Sequence, residues 1–192
     1  TGDIARLSAR MAQIEAEHGM KAGGIGLIPL IETALGVENA FQIAGCDPRV
    51  RGMFLGAEDL TSDLGAKRSK EGQEILYARG RMVMAAKACG IPVYDTPFTD
   101  VDDEAGFEAD ALFAKSLGFD GKAAISPRHV AAINQVFSPS LADITYAREV
   151  MAAIREGEAA GLGAVSLRGK MIDKPIVDRA RRVLQAAEQL GL

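Results

Sequence analysis

The sequence predicts an α/β fold built on a parallel sheet, and three observations carry that expectation. Short apolar runs alternate with helical stretches four times along the chain. The segments joining them are short, which for parallel strands implies right-handed crossovers. The apolar runs have no polar face, as expected of strands covered on both sides. With 192 residues, 48% hydrophobic and 25% charged, the chain has the composition of a globular domain with its own core.

Residues 3–19 read as a helix, because Ile4, Leu7, Met11 and Ile14 recur at three- and four-residue spacing. Asp3 is the expected N-cap and Gly19 the expected stop. Residues 25–31 form the first expected strand, although Pro29 removes a ladder donor. A helix over 36–45 ends at Gly45, before the turn Cys46-Asp47-Pro48. Residues 50–55 are the second strand, and 56–66 read as a polar loop. A long helix over 70–89, a strand over 91–94, a helix over 100–117, a strand over 120–125 and a helix over 128–136 follow. Four such units make either a small doubly wound sheet or half of a (β/α)₈ barrel, whose usual length is about 250 residues. No G-x-G-x-x-G follows any strand, which weighs against a dinucleotide fold.

Beyond Pro139 the alternation stops. Residues 140–159 read as a helix, 161–170 as a glycine-flanked strand, and 174–190 as an amphipathic helix with Pro175 in its first turn. The expected division is therefore 1–139, a partial barrel, and 140–192, a helical extension that covers a site or docks on a neighbouring subunit.

Charge and composition exclude several classes. A net charge of −4 gives no basis for nucleic-acid binding. Arg179, Arg181 and Arg182 read as cations placed near a helix C-terminus. No apolar run reaches about 18 residues, so no membrane span is expected. The opening Thr-Gly-Asp-Ile is not a signal peptide, and the absence of an initial Met suggests part of something longer. Cys46 and Cys89 lack metal-binding spacing and read as small buried hydrophobes in a reducing cytoplasm. Met82 and Met84 read as core fillers, His129 as a structural helix-face residue, and Asp102, Asp103 and Glu104 as acids at a helix start. Asp95 follows a strand and reads as a solvated loop carboxylate ahead of a second reading, a place at the active-site mouth.

The chemistry centres on two acids. Glu32 and Asp59 each stand just after an apolar strand, and C-terminal strand ends line the active-site face of parallel α/β folds. Two carboxylates there suit one hard cation, since Mg²⁺ takes one or two protein carboxylates and keeps sites for water and substrate oxygens. Gly56 and Ala57 bring two backbone N–H groups beside Asp59, able to hold a carboxylate or oxyanion. The residues alone leave alternatives open: a charge at a helix start for Glu32, a turn or cap for Asp59, and a tight turn for Gly56.

Taken together, Ile31-Glu32-Thr33-Ala34, Asn39-Ala40, Asp47-Pro48-Arg49-Val50 and Gly56-Ala57-Glu58-Asp59-Leu60 with Asp63-Leu64-Gly65 resemble the citrate lyase beta-subunit-like proteins. These stand with the metal-dependent 2-keto-acid aldolases and the malyl-CoA and citramalyl-CoA lyases. The resemblance continues through Gly121-Lys122-Ala123, Ile133-Asn134 and Phe137-Ser138-Pro139 to Gly169-Lys170-Met171-Ile172-Asp173. It implies a TIM barrel, a Mg²⁺ ion (Mn²⁺ being the other candidate) on Glu32 and Asp59, and a substrate carboxylate at Gly56 and Ala57. It also implies that Asp173 serves as the acid/base of acyl-CoA chemistry from a neighbouring subunit, although an N-cap role fits Asp173 equally. The implied reaction is cleavage of a carboxylated 3-hydroxyacyl thioester, such as malyl-CoA, citramalyl-CoA or a citryl thioester, to an acyl-CoA and a 2-keto acid. The partners implied are a keto acid, an acyl-CoA thioester and further copies of the chain, as a trimer or a multiple of one.

Two departures bear on this. Ser126 stands where the family usually has a His before Pro127. The family's early strands, which carry a substrate-contacting Arg, a further Glu near the metal and much of the CoA surface, have no counterpart in these residues. Four strands cannot close an eight-stranded barrel, so upstream sequence or another chain is expected to complete it. The alternatives are a class II aldolase acting on free 2-keto acids, an acyl-CoA thioesterase, and a non-catalytic protein that binds metal and keto acid.

Overall fold

The computed structural model describes residues 1–161 and 164–192. The chain divides into two compact units, Thr1–Phe137 and Ser138–Leu192.

The first unit opens with α1 (Gly2–Glu17), whose N-cap is Thr1, so that Asp3 falls in the first turn and not at the cap. There its carboxylate faces the positive helix end. Gly19, at φ 62°, turns the chain away from the helix. The strands β1 (Leu30–Ile31), β2 (Met53–Leu55), β3 (Val93–Asp95) and β4 (Gly121–Lys122) form one parallel sheet in chain order. Leu30, Phe54, Tyr94 and Gly121 are neighbours in register across it. Alternate residues point to opposite faces. Ile31, Met53, Leu55 and Val93 are buried in the main core with Leu60, Ile75 and Met82. The row Leu30, Phe54 and Tyr94 lies on the other face and keeps some exposure, with the Phe54 and Tyr94 rings 5.5 Å apart.

The helices differ from expectation in informative places. The helix expected over 36–45 is two, α2 (Ala34–Glu38) and α3 (Ala40–Gly45). Asn39 breaks it, its side-chain amide donating to the Leu35 carbonyl at 2.8 Å in competition with the backbone. The stretch expected as a polar loop contains α4 (Ala57–Asp63). Two turns are too short to display apolar periodicity, but Glu58 and Asp59 sit in the first turn, where acids favour a helix. A 3₁₀ turn (Gln73–Ile75) leads into α5 (Leu76–Ala88), and α6 (Glu104–Leu117) and α7 (Arg128–Phe137) complete the unit. Asp103 caps α6 by accepting the Gly106 N–H at 2.9 Å, while Gly118, at φ 104°, ends it.

Four charges are buried between sheet and helices. Arg79 of α5 donates to Asp95 at 3.0 and 2.8 Å and to Asp110 of α6 at 2.7 Å. Lys122 of β4 donates to Asp95 at 2.7 Å, to Asp110, and to the Thr96 carbonyl at 2.7 Å. Asp95 is thus neither solvated nor at the mouth. It is 0% exposed and turned toward the helices.

A second buried pair braces the opposite ends of the strands. Glu15 of α1 accepts both Arg49 guanidinium nitrogens, at 2.7 and 2.6 Å, and the N–H groups of Gly23 and Ile25. The Arg49 guanidinium above all, then the Ile25 N–H, holds the Glu15 carboxyl down at about 2, against burial, which would raise it. A pKa depressed in the folded state stabilises fully above the unfolded value of 4.5 and loses that contribution as pH falls toward 2. Glu15→Gln is therefore expected to flatten the acid limb of unfolding below about pH 4.5 in a circular-dichroism titration. An acid midpoint the same as in the parent would remove Glu15 from this account.

Several other side chains depart from expectation. Met82 is buried as expected, but Met84 is 72% exposed on the outer face of α5. Cys46 is exposed and Cys89 half-buried, so neither is a fully buried hydrophobe. Each instead stands at a helix C-cap, where the last turn opens to solvent. His129 is buried and stacked on Phe107, with ring centroids 4.0 Å apart.

The second unit comprises α8 (Leu141–Ala159), a hairpin of β5 (Val165–Leu167) and β6 (Lys170–Ile172), and α9 (Lys174–Leu190). Of the strand expected over 161–170, Leu162 and Gly163 lie outside the described residues. Ser140 caps α8 in a reciprocal capping box with Asp143. Arg168 and Gly169, at φ 51° and 76°, make the two-residue hairpin turn. Ala147, Val150, Ile172, Val177 and Ala180 form the unit's own core. Because α9 runs on to Leu190, Arg179, Arg181 and Arg182 lie within it and not in its last turn. Among the described residues no helix is long and apolar enough to cross a membrane.

Candidate metal and substrate site

The C-terminal ends of β1, β2 and β3 surround a cavity of about 420 Å³. Glu32 and Asp59 both line it, together with Gly56, Ala57, Glu58 and Thr96. Its remaining wall is largely apolar, with Ile28, Leu30 and Phe54.

Each acid is positioned by a short brace. Thr33 caps α2 by accepting the Gly36 N–H at 3.1 Å, which fixes the chain immediately after Glu32. Asp63, at the end of α4, accepts the Ala34 N–H at 2.7 Å. The Gly56 N–H donates to the Ile31 carbonyl at 2.8 Å, and the Ala57 N–H to the Thr96 hydroxyl at 3.1 Å. The residues flanking Glu32 are therefore tied to both ends of α4, and the first residue of α4 is tied to the residue that follows β3.

These bonds change the role expected of Gly56 and Ala57. Both N–H groups already have acceptors inside the protein, so they are not free donors for a substrate carboxylate. The sequence shows which residues end the strand, but not where their N–H groups are spent. What Gly56 supplies is space: a Cβ there would stand 2.9 Å from the Glu32 Cβ and 3.2 Å from its Oε2. Glycine lets the Glu32 carboxylate cross in front of β2. Gly56→Ala must displace Glu32, and we expect Mn²⁺ binding to weaken about tenfold or more, read by titration of the folded variant. Unchanged affinity would mean that Glu32 does not hold the ion. The N–H groups of Glu58 and Asp59, next along the chain, have no acceptor among the described residues.

The donor set fits a hard divalent ion. Both candidates are carboxylates, and the space left at Gly56 admits Glu32 to the cavity. Among the described residues no three His, Cys, Asp or Glu side chains gather into a metal cluster. Two carboxylates and open positions are what Mg²⁺ requires, whereas a closed structural zinc site needs four ligands.

Thr96 and the apolar wall were not singled out by sequence reasoning. The only signal for Thr96 is its place directly after β3. Asp173 belongs to the second unit. It is exposed and caps α9, its Oδ1 accepting the Ile176 N–H at 3.2 Å. The N-cap role is thus present. Ser126, in place of the expected His, accepts the Arg128 N–H at 3.3 Å at the start of α7.

Residues 1–127 match the family model described as HpcH/HpaI aldolase/citrate lyase. The chain belongs to this family. It is 40% identical to the citrate lyase subunit beta of Escherichia coli (strain K12) over 190 residues, covering 99% of this chain and 63% of that protein. It is 35% identical to the L-malyl-CoA/beta-methylmalyl-CoA lyase of Rhodobacter capsulatus, covering 97% of this chain and 64% of the relative. The protein CitE of Mycobacterium tuberculosis, crystallised with magnesium, acetoacetate and coenzyme A, superposes with a TM-score of 0.72 at 33% identity, over 85% of this chain and 61% of that one. A citrate lyase from Burkholderia xenovorans LB400 reaches a TM-score of 0.85 over all of this chain and 61% of that one; at 23% identity it speaks to the fold alone. The chain spans less than two thirds of the length of these relatives. The fold class is that of TIM-barrel α/β proteins, and β1 to β4 form a parallel sheet in chain order.

Proposed function

We propose that this protein is a Mg²⁺-dependent carbon–carbon lyase cleaving a carboxylated 3-hydroxyacyl thioester of the malyl-CoA, citramalyl-CoA or citryl type. The observation that carries the reading is the convergence of Glu32 and Asp59 on one cavity, with Gly56 kept bare so that Glu32 can enter. Bound there, Mg²⁺ supplies Lewis-acid stabilisation of a 2-keto acid's oxygens. Glu32 and Asp59 hold the ion. The Gly56–Ala57 wall leaves room for the substrate carboxylate, and the adjacent Glu58 and Asp59 N–H groups offer it donors. In the cleavage the carbinol O–H loses its proton and its carbon becomes the keto carbon. The bond to the thioester's α carbon breaks, and that carbon takes up a proton. Asp173 is the group we assign to the proton at the α carbon, acting from a neighbouring copy in a homo-oligomer, with the second unit as the extension that brings it there. We place the protein in the cytoplasm, where a reducing environment would keep the free thiols Cys46 and Cys89 reduced.

One observation favours a second reading, an aldolase on free 2-keto acids. The residues around the cavity all belong to the first unit and need no Asp173. A coupled assay of keto-acid release with Mg²⁺ separates the two, offering malyl-CoA and citramalyl-CoA beside the corresponding free acids. Thioester-dependent release supports the lyase. Release from the free acids alone, or thioester hydrolysis without keto acid, overturns it.

A further inference from the structure

We propose that Thr96 is a positioning residue that sets the metal affinity of Asp59 through the hydrogen bond it takes from Ala57. The inference rests on the reading of Glu32 and Asp59 as the metal ligands.

Thr96 is 0% exposed and directly follows β3, yet its hydroxyl reaches a residue 39 positions earlier, accepting the Ala57 N–H at 3.1 Å. Ala57 is the first residue of α4, and Asp59 is the third. A helix of two turns has few hydrogen bonds of its own, and its first N–H groups have no intrahelical acceptor. Fixing the first of them fixes the azimuth at which Asp59 leaves the turn. Gly56, at the N-cap, has no side chain with which to cap α4, so the turn has no cap bond of its own beside the one from Thr96.

Thr96 is in turn anchored from behind. Its carbonyl accepts Lys122 Nζ at 2.7 Å, and Lys122 is locked into the buried cluster with Asp95 and Asp110. The helix-side charges thus hold the Thr96 backbone, and the Thr96 hydroxyl holds the turn that carries Asp59. Outer-shell partners of this kind typically alter metal affinity by about 10–100-fold.

Two substitutions remove the same bond from opposite ends. Thr96→Val keeps the shape and removes the acceptor. Ala57→Pro removes the donor at a first helical position, where proline is well suited. Mn²⁺ affinity, followed by the electron paramagnetic resonance of the free ion, is expected to weaken about tenfold in each. Thr96→Ser should stay close to the parent, and the double variant should be no weaker than the weaker single. Parent-like affinity in both single variants overturns the proposal, as do losses that multiply in the double variant. Failure of Thr96→Val to fold leaves Ala57→Pro to decide. Glu32→Gln and Asp59→Asn are measured beside them. If these also bind Mn²⁺ normally, the metal reading itself falls and the proposal with it. If they lose the ion while the Thr96 and Ala57 variants keep it, only the proposal falls.

Discussion

Asp59→Ala is expected to lower Mg²⁺-dependent keto-acid release by a factor of about 10³ or more while leaving the fold intact. Metal stabilisation of a developing enolate or keto oxygen is worth several kcal/mol, and each 1.36 kcal/mol is about tenfold in rate. Of the three acids that line the cavity, Glu32, Glu58 and Asp59, the proposed protein ligand set is Glu32 and Asp59, so Asp59 is half of it. Its structural share is small by comparison: it is exposed and stands in the first turn of α4, where an acid contributes about 0.3–1 kcal/mol through the helix dipole. Activity and stability should therefore separate. Steady-state assays read against thermal melts check this, with Asp59→Asn as the isosteric control. A variant that keeps turnover within a few-fold of the parent would take Asp59 out of the metal site and with it the proposed chemistry.

Asp59 is legible in the sequence for a physical reason. The strands are short apolar runs with breakers on both sides, and a parallel sheet puts its active acids just after such runs. Glu32 after β1 and Asp59 after β2 satisfy that rule, and the structure brings both to one cavity. The sequence implies parallel strands with right-handed crossovers but leaves a doubly wound sheet and half a barrel open; the order β1-β2-β3-β4 is decided by the pairing. What stayed hidden depends on pairing. Asp95 reads as a solvated acid because carboxylates usually are, and nothing local announces that Arg79, Asp110 and Lys122 converge on it. The N–H groups of Gly56 and Ala57 look free in the sequence because their acceptors, the Ile31 carbonyl in β1 and the Thr96 hydroxyl just after β3, are far away along the chain. Met84 reads as core because a helix over 70–89 has apolar residues on all sides, and only packing decides which of them face out.

The same buried cluster makes the largest stability prediction. Arg79 and Asp95 are 0% exposed, and Asp110 and Lys122 are each 7% exposed. Burial acts against the charged form of Arg79, but the charge and hydrogen bonds of Asp95, then Asp110, outweigh it and raise the pKa. In Asp110 burial is likewise outweighed, by Lys122 first and then Arg79, and its pKa is lowered. The set closes at two cations and two anions. Asp95→Ala leaves both cations to share Asp110, so one positive charge is buried without a partner. Breaking such a pair costs about 3–5 kcal/mol. Urea unfolding of the variant should show that loss as a lower midpoint at an unchanged slope. Adding Lys122→Met to Asp95→Ala removes the stranded charge and should recover part of it, because an apolar side chain tolerates the site better than an unpaired ammonium. A loss below about 1 kcal/mol for Asp95→Ala would mean that water reaches the cluster and that the charges are not held in a dry core. The metal site provides an independent reading of the same change. Lys122 loses one of the carboxylates that hold it against the Thr96 carbonyl, so Asp95→Ala should also weaken Mn²⁺ binding, by less than Thr96→Val does.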